Sequence, residues 1–255
     1  MAECSVVQRA RLSRRRVLKG AAGWLALAAF SLGECEVLEK GKQMATLPNP
    51  LIGAYFACYD SSCPTLANTP TDPRGVNGYN TIFIFQVLPS GTSGKLSFDC
   101  SAVQSQASLK ADIAAKRAAG ICVILSFGGS GGYLAIKNQA IASTFISSLE
   151  AIITAIGPVD GLDWDIEAGA LYAAQMTSIG LALKAKYGAG FAITMAPGPW
   201  DTAAAAAAKT MYAAGALDTA NPQFYEQGTL TTAAMMAEMI IRPNEAWCKN
   251  SVMNF

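Results

Sequence analysis

Asp160-Gly161-Leu162-Asp163-Trp164-Asp165-Ile166-Glu167 sets four carboxylates inside an otherwise apolar stretch. Side chains on a strand alternate between its faces, so Asp163, Asp165 and Glu167 point one way while Leu162, Trp164 and Ile166 point the other. One face packs and the other is a ladder of acids. Rungs two residues apart lie about 6.6 Å from one another, where two charges repel by roughly 2.5 kcal/mol at an effective dielectric near 20. The three are therefore not expected to be ionised together at neutral pH. Glu167, at the C-terminal end, is the candidate general acid that keeps its proton. A calcium loop would instead want Gly and Asn in a turn, where this stretch has Leu, Trp and Ile at alternate positions.

Moving outward, apolar strand-like runs alternate with helical patterns from Pro50 onward. Strands are predicted at Leu51–Ala57, Thr81–Leu88, Ile121–Phe127, Asp160–Glu167, Phe191–Ala196 and, as a short sixth, Gln223–Tyr225. Helices are predicted at about 106–119, 138–156, 170–187 and 202–214, each followed by the glycine expected after a helix, Gly120, Gly157, Gly188 and Gly215. That alternation means a parallel sheet covered by helices. A doubly wound sheet and a (β/α)8 TIM barrel both satisfy it. In an open sheet helices cover both faces and would strand three carboxylates; a barrel strand can turn polar toward the C-terminal mouth, where active sites assemble. No glycine-rich phosphate loop follows the first strand, which further disfavours a nucleotide-binding fold. The expected class is therefore an α/β (β/α)8 barrel, incomplete at the C-terminus because no seventh or eighth strand is recognisable after the sixth.

Composition narrows the chemistry. The 255 residues are 52% hydrophobic and fit one large core. Histidine is absent, which removes Ser-His-Asp and Cys-His sites and disfavours catalytic zinc. Residues 1–43 carry eight Lys/Arg against four Asp/Glu, leaving eleven against fourteen beyond them, with no basic patch for nucleic acid. Residues 1–43 read as a leader and 44–255 as one barrel domain. Arg14-Arg15-Arg16-Val17-Leu18-Lys19 before the short apolar stretch Gly20–Leu32 resembles a twin-arginine export signal, and thirteen residues are too few to span a bilayer. Met44 as the true start is an equally plain alternative. If the chain is exported, Cys58 and Cys63 flank a short loop and are expected to pair, with Cys100 as competitor. Cys122 is expected to be a buried small residue. Trp200 and Tyr133, just beyond strand ends, could stack on sugar rings or serve packing.

The Asp160–Glu167 stretch matches the D-G-x-D-x-D-x-E signature of glycoside hydrolase family 18 at every fixed position. Ser126-Phe127-Gly128-Gly129 resembles the family's S-x-G-G, Met195-Ala196-Pro197 its M-A-P segment, and Gln223-Phe224-Tyr225 the Q-F-Y of hevamine-like, single-domain chitinases. The resemblance covers roughly residues 51–226. It implies endo-acting hydrolysis of β-1,4 bonds between N-acetylglucosamine units of chitin, by a retaining mechanism in which the substrate's own acetamido oxygen attacks the anomeric carbon. By position, Glu167 would be general acid and base, Asp165 would orient the acetamido group and share a proton with Asp163, and Tyr225, with Gln223, would hydrogen-bond the acetamide. Tyr55, Gly128, Gly129, Met195 and Trp200 are the further candidate substrate contacts, with the glycines shaping the cleft floor. For Asp160 a structural role is as plausible as a catalytic one. No metal or cofactor is implied. The implied partners are chitin or N-acetylglucosamine oligosaccharides, acted on by a secreted monomer without stable membrane insertion. Cleavage of N-glycans and non-catalytic chitin binding are the competing functions.

Overall fold

The computed structural model describes residues 46–167, 169–198 and 201–223. In chain order its elements are β1 (Gly53–Ala57), β2 (Thr81–Pro89), β3 (Leu96–Ser97), α1 (Gln106–Ala118), β4 (Cys122–Gly128), α2 (Gln139–Ile156), β5 (Gly161–Asp165), α3 (Ala173–Tyr187), β6 (Ala192–Met195), α4 (Thr202–Ala213) and β7 (Thr219–Ala220). The strands lie side by side as β1-β2-β4-β5-β6-β7, every neighbour in this row parallel, with β3 antiparallel to the end of β2. A parallel row in chain order, with helices between its later strands, is the winding of a (β/α)8 barrel; the described residues make a half-barrel of it.

Three of the four helices, α1, α2 and α4, start at a side-chain cap, while α3 starts at Tyr172 with no side-chain cap bond. Ser105 Oγ accepts the Ser108 N–H, Asn138 Oδ1 the Ile141 N–H, and Asp201 Oδ1 the Ala203 and Ala204 N–H groups, satisfying donors that a first turn leaves open. Gly120, Gly157, Gly188 and Gly215 follow the four helices at φ of 82°, 98°, 101° and 72°, as their sequence positions predict. The helix expected from residue 170 begins at Ala173.

Two differences from the sequence expectation have simple causes. A sixth main strand is found at Thr219–Ala220; of the predicted Gln223–Tyr225 only Gln223 is among the described residues, and it lies outside a strand. Asn221 N–H still bonds the Met195 carbonyl and Gln223 N–H the Pro197 carbonyl, but Pro222 between them has no N–H and breaks the ladder. Phe224 and Tyr225 lie outside the described residues. The short β3 was not expected; two residues of pairing leave little periodic signal.

Burial separates two layers. On the outer face Ile82, Ile84, Val123, Leu125, Phe127, Leu162, Trp164, Ile193 and Met195 are buried against the helices. Phe127, Phe145 and Trp164 form an aromatic cluster with ring centroids 4.9–5.9 Å apart. Trp164 is wholly buried, so truncation to alanine should cost about 3–5 kcal/mol. Helix α2 is 18 residues long and apolar enough to pass for a membrane span, but Phe145, Leu149 and Ile153 seat it on the sheet.

Three polar side chains, each immediately before a strand, clamp that strand's start to its neighbour. Asn80, before β2, accepts the Ile52 N–H at 2.8 Å; Asp160, before β5, accepts the Val123 N–H at 3.0 Å; Asp218, before β7, accepts the Ile193 N–H at 2.7 Å. Arg117, from the last turn of α1, pairs with Asp160 at 2.8 Å, and Lys184, from α3, with Asp218 at 2.7 Å. Asp160 and the Arg117 side chain are both buried, so the pair is needed to keep either charge in the interior. Of the two roles open to Asp160, the structural one is observed.

Candidate active site

Strand register stacks the inward residues in tiers. The lowest tier is apolar: Phe83, Ile124, Gly161 and Ala192 lie level with one another. The next tier is polar. Ser126 pairs with Asp163, Asp163 with Thr194, and Thr194 with Thr219. Above it Gly128 pairs with Asp165. Since alternate residues share a face, Asp163 and Asp165 rise one above the other inside the half-barrel, and Glu167 follows beyond the strand's end.

Asp163 is fully buried and accepts three hydroxyl hydrogen bonds: from Ser126 at 2.8 Å, from Tyr55 at 3.0 Å, and from Thr194. Burial pushes its carboxyl above the ordinary carboxylate range, and the three donors pull it partly back. Asp165 is 3% exposed. Burial first, then the charges of Asp163 and Glu167, push its carboxyl up to about 7, while the Gln223 amide opposes the shift. Glu167 is exposed, at the rim. The Gln223 side-chain nitrogen donates to Asp165, lies 3.3 Å from Glu167 Oε1, and reaches the Ala196 carbonyl at 3.1 Å. One amide thus ties together the two upper carboxylates and the end of β6.

Asp165 and Glu167 open onto a cleft of about 620 Å³ lined also by Tyr55, Tyr59, Phe85 and Gln86, with Asp163 buried behind it. Tyr55 stacks on Phe83 with centroids 4.7 Å apart, leaving 42% of the residue exposed beside Asp163. Gly128 and Gly129 are buried beside this cleft, against the Asp165 backbone and the Phe85 ring. A Cβ on Gly128 would fall 2.0 Å from the Asp165 carbonyl oxygen, and one on Gly129 2.5 Å from the Phe85 ring. The Gly128 carbonyl accepts from Gln86 at 2.9 Å, and the Gly129 N–H bonds the Asp165 carbonyl. Glycine is required where two backbones approach this closely.

The structure therefore brings together Asp163, Asp165, Glu167, Gln223, Tyr55, Gly128 and Gly129. Met195 is not with them: it sits one residue beyond the inward Thr194, is fully buried, and packs with the outer core. Its candidacy as a substrate contact is corrected by strand alternation. Tyr225 and Trp200 lie outside the described residues. Cys58 pairs with Cys100, 42 residues away, instead of with Cys63, which is free; the antiparallel strand β3 runs back along the end of β2 and brings Cys100 to the end of β1. Cys122 is buried as expected, and burial pushes its thiol far up. The Tyr133 hydroxyl accepts the Ala170 N–H at 3.2 Å, and the residue is 39% exposed. Sequence reasoning missed the hydroxyl donors Ser126 and Thr194 as partners of Asp163. Each is a polar residue inside an apolar strand, which was the available signal.

No protein-family model matches the chain. It is 38% identical over 174 residues to exochitinase 1 of Streptomyces olivaceoviridis, a match spanning 59% of this chain and 28% of that protein. Among solved structures, one described as chitinase A of Streptomyces coelicolor superposes with a TM-score of 0.61 at 28% identity, over 70% of this chain and 61% of that one. A family GH18 chitinase from Chromobacterium violaceum gives 0.58 at 27%, over 72% and 52%. The chain thus spans less than two thirds of each of these relatives. It joins an acid ladder and a parallel half-barrel with sequence and fold similarity to chitinases, one of them described as a family GH18 chitinase.

Proposed function

We propose that this site hydrolyses β-1,4 linkages between N-acetylglucosamine units of chitin. The observation that carries the proposal is the graded carboxylate column: Asp163 buried under three hydroxyls, Asp165 above it with its proton retained to about pH 7, and Glu167 at the open rim of the cleft. Glu167 gives its proton to the glycosidic oxygen as the bond to the anomeric carbon breaks. The 2-acetamido oxygen of the same sugar attacks that carbon, forming an oxazolinium ion. The Glu167 carboxylate then takes a proton from the water that opens the ring, with net retention. Asp165 orients the acetamide and, with Asp163 behind it, faces the developing positive charge. Gln223, and Tyr225 by resemblance, complete the acetamide's hydrogen bonds.

The same proposal holds that the protein works after export, as a monomer. A disulfide between Cys58 and Cys100 suits an oxidising compartment. Release of fluorophore from a chitobioside or chitotrioside by the purified chain, and shortening of chitin oligomers, test the activity. Trimming of a glycoprotein with no action on chitin oligomers would overturn the substrate assignment. Binding of oligomers with no turnover of either substrate would overturn the catalytic one.

A further inference from the structure

Glu167 stands beyond the end of β5, exposed at the rim, with the Gln223 side-chain nitrogen 3.3 Å from its Oε1. A contact that long holds a carboxyl loosely, so the place of Glu167 depends on the backbone leading from it to α3. That segment ends without a cap of its own: Tyr172, the residue before α3, makes no side-chain cap bond. It is seated instead on Tyr133, from the loop between β4 and α2. Gly169 turns at φ 81°, and a Cβ there would overlap the Tyr133 ring; glycine lets the backbone lie this close. Ala170 donates its N–H to the Tyr133 hydroxyl at 3.2 Å. Desolvation first, then the same hydroxyl, push the Tyr172 phenol above its ordinary range. Tyr133 is itself fixed from both sides. The Gly132 N–H bonds the Gly129 carbonyl at 2.9 Å, and Leu134 and Ile136 are buried in the outer core.

Resting on the proposed activity, we infer that Tyr133 is a positioning residue: its ring and hydroxyl hold the turn at Gly169–Ala170, and through it the point from which Glu167 delivers its proton. Misplacing a reacting group by about 1 Å costs up to about a hundredfold in rate. The cost depends on the leaving group. A weakly acidic alcohol or phenol departs only as its oxygen is protonated, whereas 4-nitrophenoxide leaves with little help from an acid. A residue that merely packs the loop would slow both reactions alike, and one that stacked on sugar would act on binding.

The test uses two chitobiosides that differ in the leaving group alone, phenyl and 4-nitrophenyl, with kcat and KM measured separately for the unsubstituted chain, Tyr133→Ala and Tyr133→Phe. Tyr133→Ala is expected to lower kcat on the phenyl substrate about tenfold, part of the hundredfold or more that a well-placed acid supplies, and on the 4-nitrophenyl substrate less than about twofold, with both KM values held. Tyr133→Phe keeps the ring beneath Gly169 and loses the Ala170 bond. Its phenyl kcat is expected to fall about threefold, the size of one hydrogen bond, with the 4-nitrophenyl kcat unchanged. Equal losses on both substrates in folded variants, or a raised KM with kcat held, would overturn the proposal while leaving the activity standing. An unsubstituted chain that turns over neither chitobioside would overturn both. If Tyr133→Ala unfolds, the phenyl-to-nitrophenyl ratio of Tyr133→Phe decides, and an unchanged ratio refutes the proposal.

Discussion

Asp165→Asn should make the protein more stable above neutrality while stopping its chemistry. The carboxyl's ordinary value is 3.8, and in the folded protein it rises to about 7. Below the lower value both folded and unfolded chains hold the proton, and the group adds nothing. Between the two, the unfolded chain ionises while the folded chain keeps its proton, so stability declines as pH rises. Above about 7 the loss is complete. About three pH units at roughly 1.36 kcal/mol each give a loss near 4 kcal/mol at most. Asparagine fills the same space, still accepts the Gln223 amide through Oδ1, and has no proton to lose. Asp163 also has a raised carboxyl and contributes a similar slope to both proteins, so the difference between their curves isolates residue 165. Urea unfolding of both proteins at half-unit steps from pH 4.5 to 8 measures it. The variant's advantage should be small at the acid end and grow toward about 4 kcal/mol by pH 8. A difference independent of pH would show that Asp165 titrates in the ordinary range and would remove the electrostatic basis of the site.

Glu167→Gln is expected to abolish turnover of a chitobioside while oligomer binding, followed by calorimetry, changes less than about threefold, since an exposed rim residue carries little binding energy. In the unsubstituted protein kcat/KM should fall as pH rises through about 7, where Asp165 loses its proton; a flat profile from pH 6 to 8.5 would contradict its part in the reaction. Replacing both Cys58 and Cys100 with serine releases a 42-residue constraint and should lower stability by up to about 4 kcal/mol, seen as a drop in the unfolding midpoint that dithiothreitol reproduces in the parent and not in the variant. Arg117→Met leaves Asp160 buried without its cation and should cost about 3–5 kcal/mol in urea unfolding, largely recovered when Asp160→Asn is added.

Much of this molecule could be read from its residues. The fully buried β4 and β5 and the long helices α1 and α2 carry strong periodicity and clear caps, so they fell within a residue or two of their predicted bounds. The inward column of acids followed from alternation alone. What escaped depends on relations between strands that no single segment encodes. Which hydroxyls reach Asp163 is set by register across β4, β5 and β6. Met195 was chosen by motif, but its neighbour Thr194 is the inward residue. The partner of Cys58 depended on a two-residue strand with almost no pattern of its own.

The clamps made by Asn80, Asp160 and Asp218 bear on how the cleft can change. A slip of one residue between paired strands would turn every inward side chain outward, carrying the acids from the cavity to the helices. By anchoring the far ends of β1–β2, β4–β5 and β6–β7, these three residues hold the reactive groups in place from the opposite pole of the fold. Loops around the mouth are therefore free to be lengthened or exchanged for new specificities, whereas a change at the remote pole can silence the chemistry without touching substrate.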